Sequence, residues 1–303
     1  MTVALPPPPR TQRLGENGPE VSALAWGMWR YKGEDLRAAR ALVEAALDAG
    51  INFLDTADIY GVDTPAGFGS SEALLGRVLA DAPELRNRMV LASKGGIDPG
   101  IPYDSSASYL KAAVDASLRR LGVERLDLWQ VHRPDVLVHP EALAETLTGL
   151  VGSGKVGAIG VSNFTKDQIT ALKRFLTIPL ISTQPELSPF AIGAVENGLL
   201  DQAMRMGALV MAWSPLGGGR IAHASGERDC AILTALTDIA NAKEITPAVA
   251  AYSWIMAHPA RPIPIIGSQK AERIAEAVGA LDVEWTRAEW YAVLTAARGV
   301  PLP

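Results

Sequence analysis

The chain has 303 residues, 48% of them apolar, with 33 acidic against 28 basic side chains, a formal charge of −5 and one cysteine. Both signs are spread along it, so no basic block marks a nucleic-acid or membrane-surface footprint, and Cys230 alone excludes an internal disulfide. No run reaches the roughly 18 apolar residues of a membrane span, and the start lacks a basic region followed by an apolar core. The expectation is a soluble cytoplasmic protein with no nucleic-acid or membrane partner.

Residues 1–9, with Pro6 to Pro9, read as a flexible proline-rich leader, either an untethered tail or a partner-binding segment, ahead of one domain over 10–303. Gln12 to Leu14 and Val21 to Ala23 flank the turn-rich GENGPE and predict a small hairpin. Ala23 to Trp26 predicts a strand that delivers Gly27, Met28 and Trp29 to its end. Asp35 to Ala49 repeats apolar residues at helical spacing and stops at Gly50. Ile51 to Leu54 is a second buried strand, and it breaks into Asp55, Tyr60 and Gly61. The spacing then predicts a helix over Ser70 to Leu79 capped by Ser70 or Ser71, a strand over Met89 to Lys94, a helix over Ser106 to Leu121 and a strand over Leu126 to His132.

The alternation continues with a helix at His139 to Val151, a strand at Ala158 to Ser162, a helix at Lys166 to Phe175 and a strand at Leu180 to Gln184. Leu199 to Met206 reads as helix, Ala208 to Trp213 as strand, and Cys230 to Ala242 and Pro247 to His258 as helices. Ile263 to Ile266 is the eighth barrel strand, followed by helices at Lys270 to Gly279 and Thr286 to Ala296. Near-continuous apolar runs separated by helical periods are the pattern of βα units around a parallel sheet. No composition shift marks a linker, and no GxGxxG follows an early strand.

Three consecutive strands finish on an ionisable group: Asp55, Lys94 and His132. In an eight-stranded parallel barrel the carboxyl ends of the strands line the active face. With Tyr60 these residues form a candidate proton-transfer site. Taken singly, Asp55 also fits turn chemistry, Lys94 an exposed loop, His132 a packed imidazole and Tyr60 an aromatic lid.

INFLDTADIYG, LASKGG, LWQVHRPD, GKVGAIGVSNF, AWSPLGGGR and PIIGSQKAERI resemble the successive signatures of the aldo-keto reductase family, in the family's order, from Ile51 to about Glu276. The resemblance implies a (β/α)8 TIM barrel with an N-terminal β-hairpin that plugs its inactive end and extra C-terminal helices. It implies NADPH-dependent reduction of aldehydes or ketones to alcohols, with Tyr60 as proton donor. It places Ser162, Asn163 and Gln184 on the nicotinamide carboxamide, Trp213 against the nicotinamide face and Glu276 at the adenine amino group. Ala277 stands where many members carry Asn, which weakens the adenine contact and leaves NADH as a weaker alternative.

Carbonyl reduction needs a proton donor beside the oxygen on which charge develops. A phenol has a reference pKa of about 10. A cation about 4 Å away, at an effective dielectric near 20, favours the phenolate by about 4 kcal/mol before burial subtracts its share. Lys94 is the candidate cation, Asp55 its anchor and His132 a second donor to the carbonyl oxygen. Ser214, Leu216, Gly217, Gly218, Gly219 and Arg220 form a glycine-rich loop able to approach a pyrophosphate. Gly267, Ser268, Gln269, Lys270 and Arg273 open a helix, where a 2′-phosphate would meet cations and free N–H groups. Met28, Trp29 and Tyr31 either line a substrate mouth or pack under a loop; Trp129 points away from the site by strand alternation. The expected partner is a small carbonyl compound, and the expected state a monomer or weak homo-oligomer. An NADPH-binding regulatory barrel with little turnover and a Schiff-base lyase using Lys94 are the rival readings.

Overall fold

Apolar runs that alternate with helix-period stretches fold into a closed barrel in the computed structural model, which describes residues 3–302. Two short strands precede the barrel and pair antiparallel, β1 (Thr11–Arg13) and β2 (Glu20–Ser22). The barrel strands are β3 (Ala25–Gly27), β4 (Phe53–Asp55), β5 (Val90–Gly95), β6 (Leu126–Val131), β7 (Val156–Ser162), β8 (Leu180–Gln184), β9 (Leu209–Ala212) and β10 (Ile263–Ile266). They stand in chain order around the wall, all parallel, and β10 closes against β3.

Helices α1 (Leu36–Asp48), α2 (Ser70–Asp81), α3 (Ala107–Leu121), α4 (Pro140–Gly152) and α5 (Lys166–Lys173) return the chain between strands. They are followed by α6 (Gly193–Glu196), α7 (Leu199–Met206), α8 (Gly226–Ala242), α9 (Pro247–Met256), α10 (Ala271–Ala277) and α11 (Arg287–Arg298). Side chains cap several of these: Asp35 accepts from the Ala38 N–H ahead of α1, and Ser106 from the Tyr109 N–H ahead of α3. At α2 the cap differs from expectation. Gly69, in the left-handed region, is the N-cap, and neither Ser70 nor Ser71 caps the helix. Helix α8 starts at Gly226 rather than Cys230, because Glu227 and Asp229 suit the positive end of a helix dipole.

Two apolar layers hold the barrel. Phe53, Val90, Ala92, Leu128, Met211 and Ile265 fill its interior, while Leu54, Leu91, Trp129 and Val131 pack outwards against the helices. The period of two that separates them also turns Asp55, Lys94 and His132 inwards at the strand ends. Trp129 faces the helices, as alternation predicts. The β1–β2 hairpin delivers Leu14 and Val21 into the interior cluster and so stoppers the barrel.

Among the described residues no helix is long and apolar enough to cross a membrane. The leader corrects the sequence reading of an untethered tail. Residues 1–2 lie outside the described residues, but Ala4 bridges Thr286, the Leu5 N–H donates to the Trp285 carbonyl at 2.7 Å, and Arg261 Nη1 donates to the Pro6 carbonyl at 3.0 Å. Prolines lack an N–H but keep a carbonyl, so an extended proline run can still be tied down by its acceptors.

Replacing the plug residue tests this arrangement: Leu14→Ala should lower the unfolding free energy by about 2–5 kcal/mol, read as an earlier midpoint in urea.

Candidate active site

The loop after β4 is built to present Tyr60. The Thr56 N–H donates to the Ala92 carbonyl and the Asp58 N–H to the Lys94 carbonyl, which extends the β4–β5 ladder past the strand end. Gly61 then turns the chain with φ +93, and a Cβ there would lie 1.9 Å from Ser70 Oγ. Only glycine fits that turn.

Beneath Tyr60 lies a buried ion pair. Lys94 is fully buried, and its Nζ donates at 2.7 Å to Asp55 Oδ2 and at 2.7 Å to the Thr56 carbonyl. The same ammonium stands 4.9 Å from the centroid of the Tyr60 ring. His132 closes the group from β6, its ring 5.9 Å from that of Tyr60. Trp29 meets Tyr60 edge-on at 5.1 Å and is 46% exposed, so it stands at the mouth. The structure therefore brings together the four side chains read from three strand ends and one loop.

Electrostatics assign these groups their protonation states. Burial opposes the Lys94 charge, yet Asp55 and Tyr60 outweigh it and hold the ammonium above the ordinary lysine range. Burial also raises the Tyr60 phenol, and Lys94 only partly offsets this. The acidifying pull expected of Lys94 from the sequence is outweighed, because desolvation of the phenol exceeds it. Tyr60 is thus a neutral phenol at physiological pH. His132 is pushed well below the ordinary histidine range by burial, then by Lys94 and Arg133, and is neutral. Among the described residues its Nδ1 is sealed without a partner. A proton on Nε2 leaves only a bare lone pair buried, and it leaves a donor for the pocket.

A second cluster adjoins the first. Ser162 Oγ donates to the Gln184 carbonyl at 2.9 Å, and Asn163 Nδ2 donates to Ser162 Oγ at 2.9 Å and to the His132 carbonyl at 3.2 Å. Asn163 Oδ1 accepts from Trp213 Nε1 at 2.8 Å, and Gln184 Nε2 donates to Asp55 Oδ1 at 3.2 Å. Beyond Trp213, Ser214 and Leu216 lead into Gly217, Gly218 and Gly219. Among the described residues a Cβ on Gly218 or Gly219 would meet nothing within 4 Å, which leaves open space along that backbone. The loop after β10 carries Gly267, Ser268 and Lys270, with Arg273 and Glu276 exposed on α10. Arg30 reaches over it, Nη1 lying 3.2 Å from the Cβ position of Gly267.

Three expectations change. Met28 and Tyr31 are 0% and 1% exposed and pack in the layer between barrel and helices, so neither lines the mouth. Arg220 donates to the carbonyls of Gly217 and Phe190 and pairs with Asp229, which makes it a brace of the glycine loop. Helix α10 begins at Ala271 and ends at Ala277, shorter than expected, so side chains rather than a long helix dipole characterise that end. Sequence reading missed the Thr56 carbonyl, since backbone acceptors leave no composition signal. Gln269, read from the sequence among the residues that open the last barrel helix, has its amide buried between Ser268 and Lys270 with no partner among the described residues. That orphaned amide, the open glycine backbone and the cations around Gly267 fit a phosphate-bearing dinucleotide.

Residues 23–297 match the model of the Aldo/keto reductase family. The chain belongs to this family. Aldo-keto reductase relatives include the 6-dehydroglucose reductase of Novosphingobium aromaticivorans, 60% identical over 99% of both chains. Another 6-dehydroglucose reductase, from Agrobacterium fabrum, is 36% identical over 92% of this chain and 95% of its own. The solved glycerol dehydrogenase of Gluconobacter oxydans superposes with a TM-score of 0.84 at 28% identity, over 97% of each chain. The protein is an NAD(P)H-dependent carbonyl oxidoreductase.

Two outcomes follow from the buried groups. Asp55→Ala leaves the Lys94 ammonium buried and unpaired, so it should cost about 3–5 kcal/mol in urea unfolding. His132 takes up its proton on unfolding, so its contribution to stability is complete above the ordinary imidazole range and is lost as pH falls below about 6.5. The loss of stability between about pH 8 and about pH 5.5 should therefore be smaller in His132→Gln than in the parent chain.

Proposed function

We propose that this protein reduces aldehydes or ketones to alcohols with NADPH, with Tyr60 as proton donor, and that its substrate is an oxidised sugar such as 6-dehydroglucose. The carrying observation is the Lys94 ammonium buried between Asp55 and Tyr60, with neutral His132 across from it. The substrate follows the name of the 60% identical relative.

When bound, NADPH supplies a hydride to the carbonyl carbon. Ser162, Asn163 and Gln184 offer both donors and acceptors to its carboxamide, and Trp213 offers an aromatic face. Ser214, Leu216, Gly217 and Gly219 would take the pyrophosphate, with open space beside Gly219. Ser268, Lys270 and Arg273 would grip the 2′-phosphate, with Gly267 leaving room and Glu276 at the adenine. Arg220 is left out, because its guanidinium is engaged within the loop.

The chain's own residues do the proton chemistry. Nε2 of His132 donates a hydrogen bond to the carbonyl oxygen and orients it. As negative charge builds on that oxygen, the Tyr60 hydroxyl gives up its proton. Lys94 stabilises the phenolate that remains, and Asp55 and the Thr56 carbonyl hold Lys94 in place. A neutral phenol beside a fixed ammonium is well suited to this, because the acid carries its proton at rest and its conjugate base is stabilised. We place the enzyme in the cytoplasm as a monomer or weak homo-oligomer.

Tyr60→Phe should lower kcat for 6-dehydroglucose by roughly 10²- to 10⁴-fold while NADPH still quenches tryptophan fluorescence. Near-normal turnover would refute the assignment. The double variant Lys270→Ala, Arg273→Ala should narrow the preference for NADPH over NADH; equal affinities in the parent chain would remove the 2′-phosphate grip.

A further inference from the structure

One cation of the site has no part in the proton chemistry. Arg133 follows His132 directly at the end of β6 and is half-buried. Among the described residues its side chain forms neither an ion pair nor a hydrogen bond. Its guanidinium carbon stands 5.6 Å from the centroid of the Trp213 ring. Asp135, the nearest acid along the chain, is engaged elsewhere, accepting from the backbone N–H groups of Ser105 and Leu137.

The arrangement around Arg133 is fixed. Trp213 is pinned through Nε1 to Asn163, and Asn163 is pinned to the His132 carbonyl. The guanidinium therefore rests on a ring that is tied to the same strand end that bears His132. Its charge also reaches the reacting groups, since it lowers both the Tyr60 phenol and the His132 imidazole.

An aromatic face attracts a cation but accepts few of the five N–H donors of a guanidinium. Half-buried, those donors have no acceptor from the protein among the described residues. Two oxygens held side by side match the planar fork best. We infer that Arg133 selects the substrate, its guanidinium receiving a pair of oxygens carried beside the reacting carbonyl, either vicinal hydroxyls or a carboxylate. The assignment rests on the reductase reading above and adds to it the residue that favours oxygen-bearing aldehydes over plain alkyl ones.

Steady-state kinetics of the parent chain, Arg133→Ala and Arg133→Lys with butyraldehyde, 6-dehydroglucose and succinic semialdehyde test it. In Arg133→Ala, KM for an oxygen-bearing aldehyde should rise about tenfold or more, the loss expected for one charge-assisted hydrogen bond, with a smaller change in kcat. Its kcat/KM relative to butyraldehyde should fall accordingly, and Arg133→Lys, which keeps charge without the fork, should recover part of the loss. A fall confined to 6-dehydroglucose identifies hydroxyls as the ligand, and one confined to succinic semialdehyde identifies a carboxylate. An equal fall for butyraldehyde would overturn the inference, as would a matching loss of NADPH affinity in fluorescence titration, which would move Arg133 to the cofactor. If the parent chain reduces none of the three aldehydes, the reductase reading itself fails.

Discussion

The buried pair of Lys94 and Asp55 is the constraint on which the site depends. An ammonium with no solvent exposure is tolerated only because a carboxylate and a backbone carbonyl both meet it at 2.7 Å. That requirement fixes the register of β4 against β5, because a slip of one residue would turn Lys94 towards the helices and leave Asp55 unpaired. Stability and chemistry therefore ask for the same geometry. The ion pair that holds two strands in register also presents one charge to the Tyr60 ring.

A continuous polar chain extends this geometry across the barrel mouth. From Trp213 it passes through Asn163 and Ser162 to Gln184, and from Gln184 Nε2 to Asp55. Four strand ends thereby share one hydrogen-bond network, which stiffens the groups it joins. Side chains suited to an amide ligand are braced against the proton-transfer group, so the two halves of the site cannot drift independently.

Much of this was legible in the chain because each element carries its own signal. The barrel strands are apolar runs, the helices repeat at helical period, and Asp55, Lys94 and His132 interrupt apolar strands where packing does not ask for charge. What escaped was decided by tertiary contact. Met28 looks like a rim residue beside Trp29, yet alternation sends it into the helix layer. Arg220 looks like a phosphate ligand until Asp229, brought beside it by α8, engages it. The acidity of Tyr60 depends on a competition between burial and charge whose balance needs the depth of the phenol, and depth is not written in spacing. The proline leader gave no hint of its docking, because the strand-like contact it makes lies with Trp285 and Thr286 at the far end of the chain.

The hairpin residues Leu14 and Val21, lodged in the barrel interior, make the fold a dead-end vessel. Whatever enters by the mouth has to back out the same way. A reaction product that lingers there denies the next molecule its berth, so turnover is tied to how quickly the vestibule empties as well as to how quickly the carbonyl is reduced.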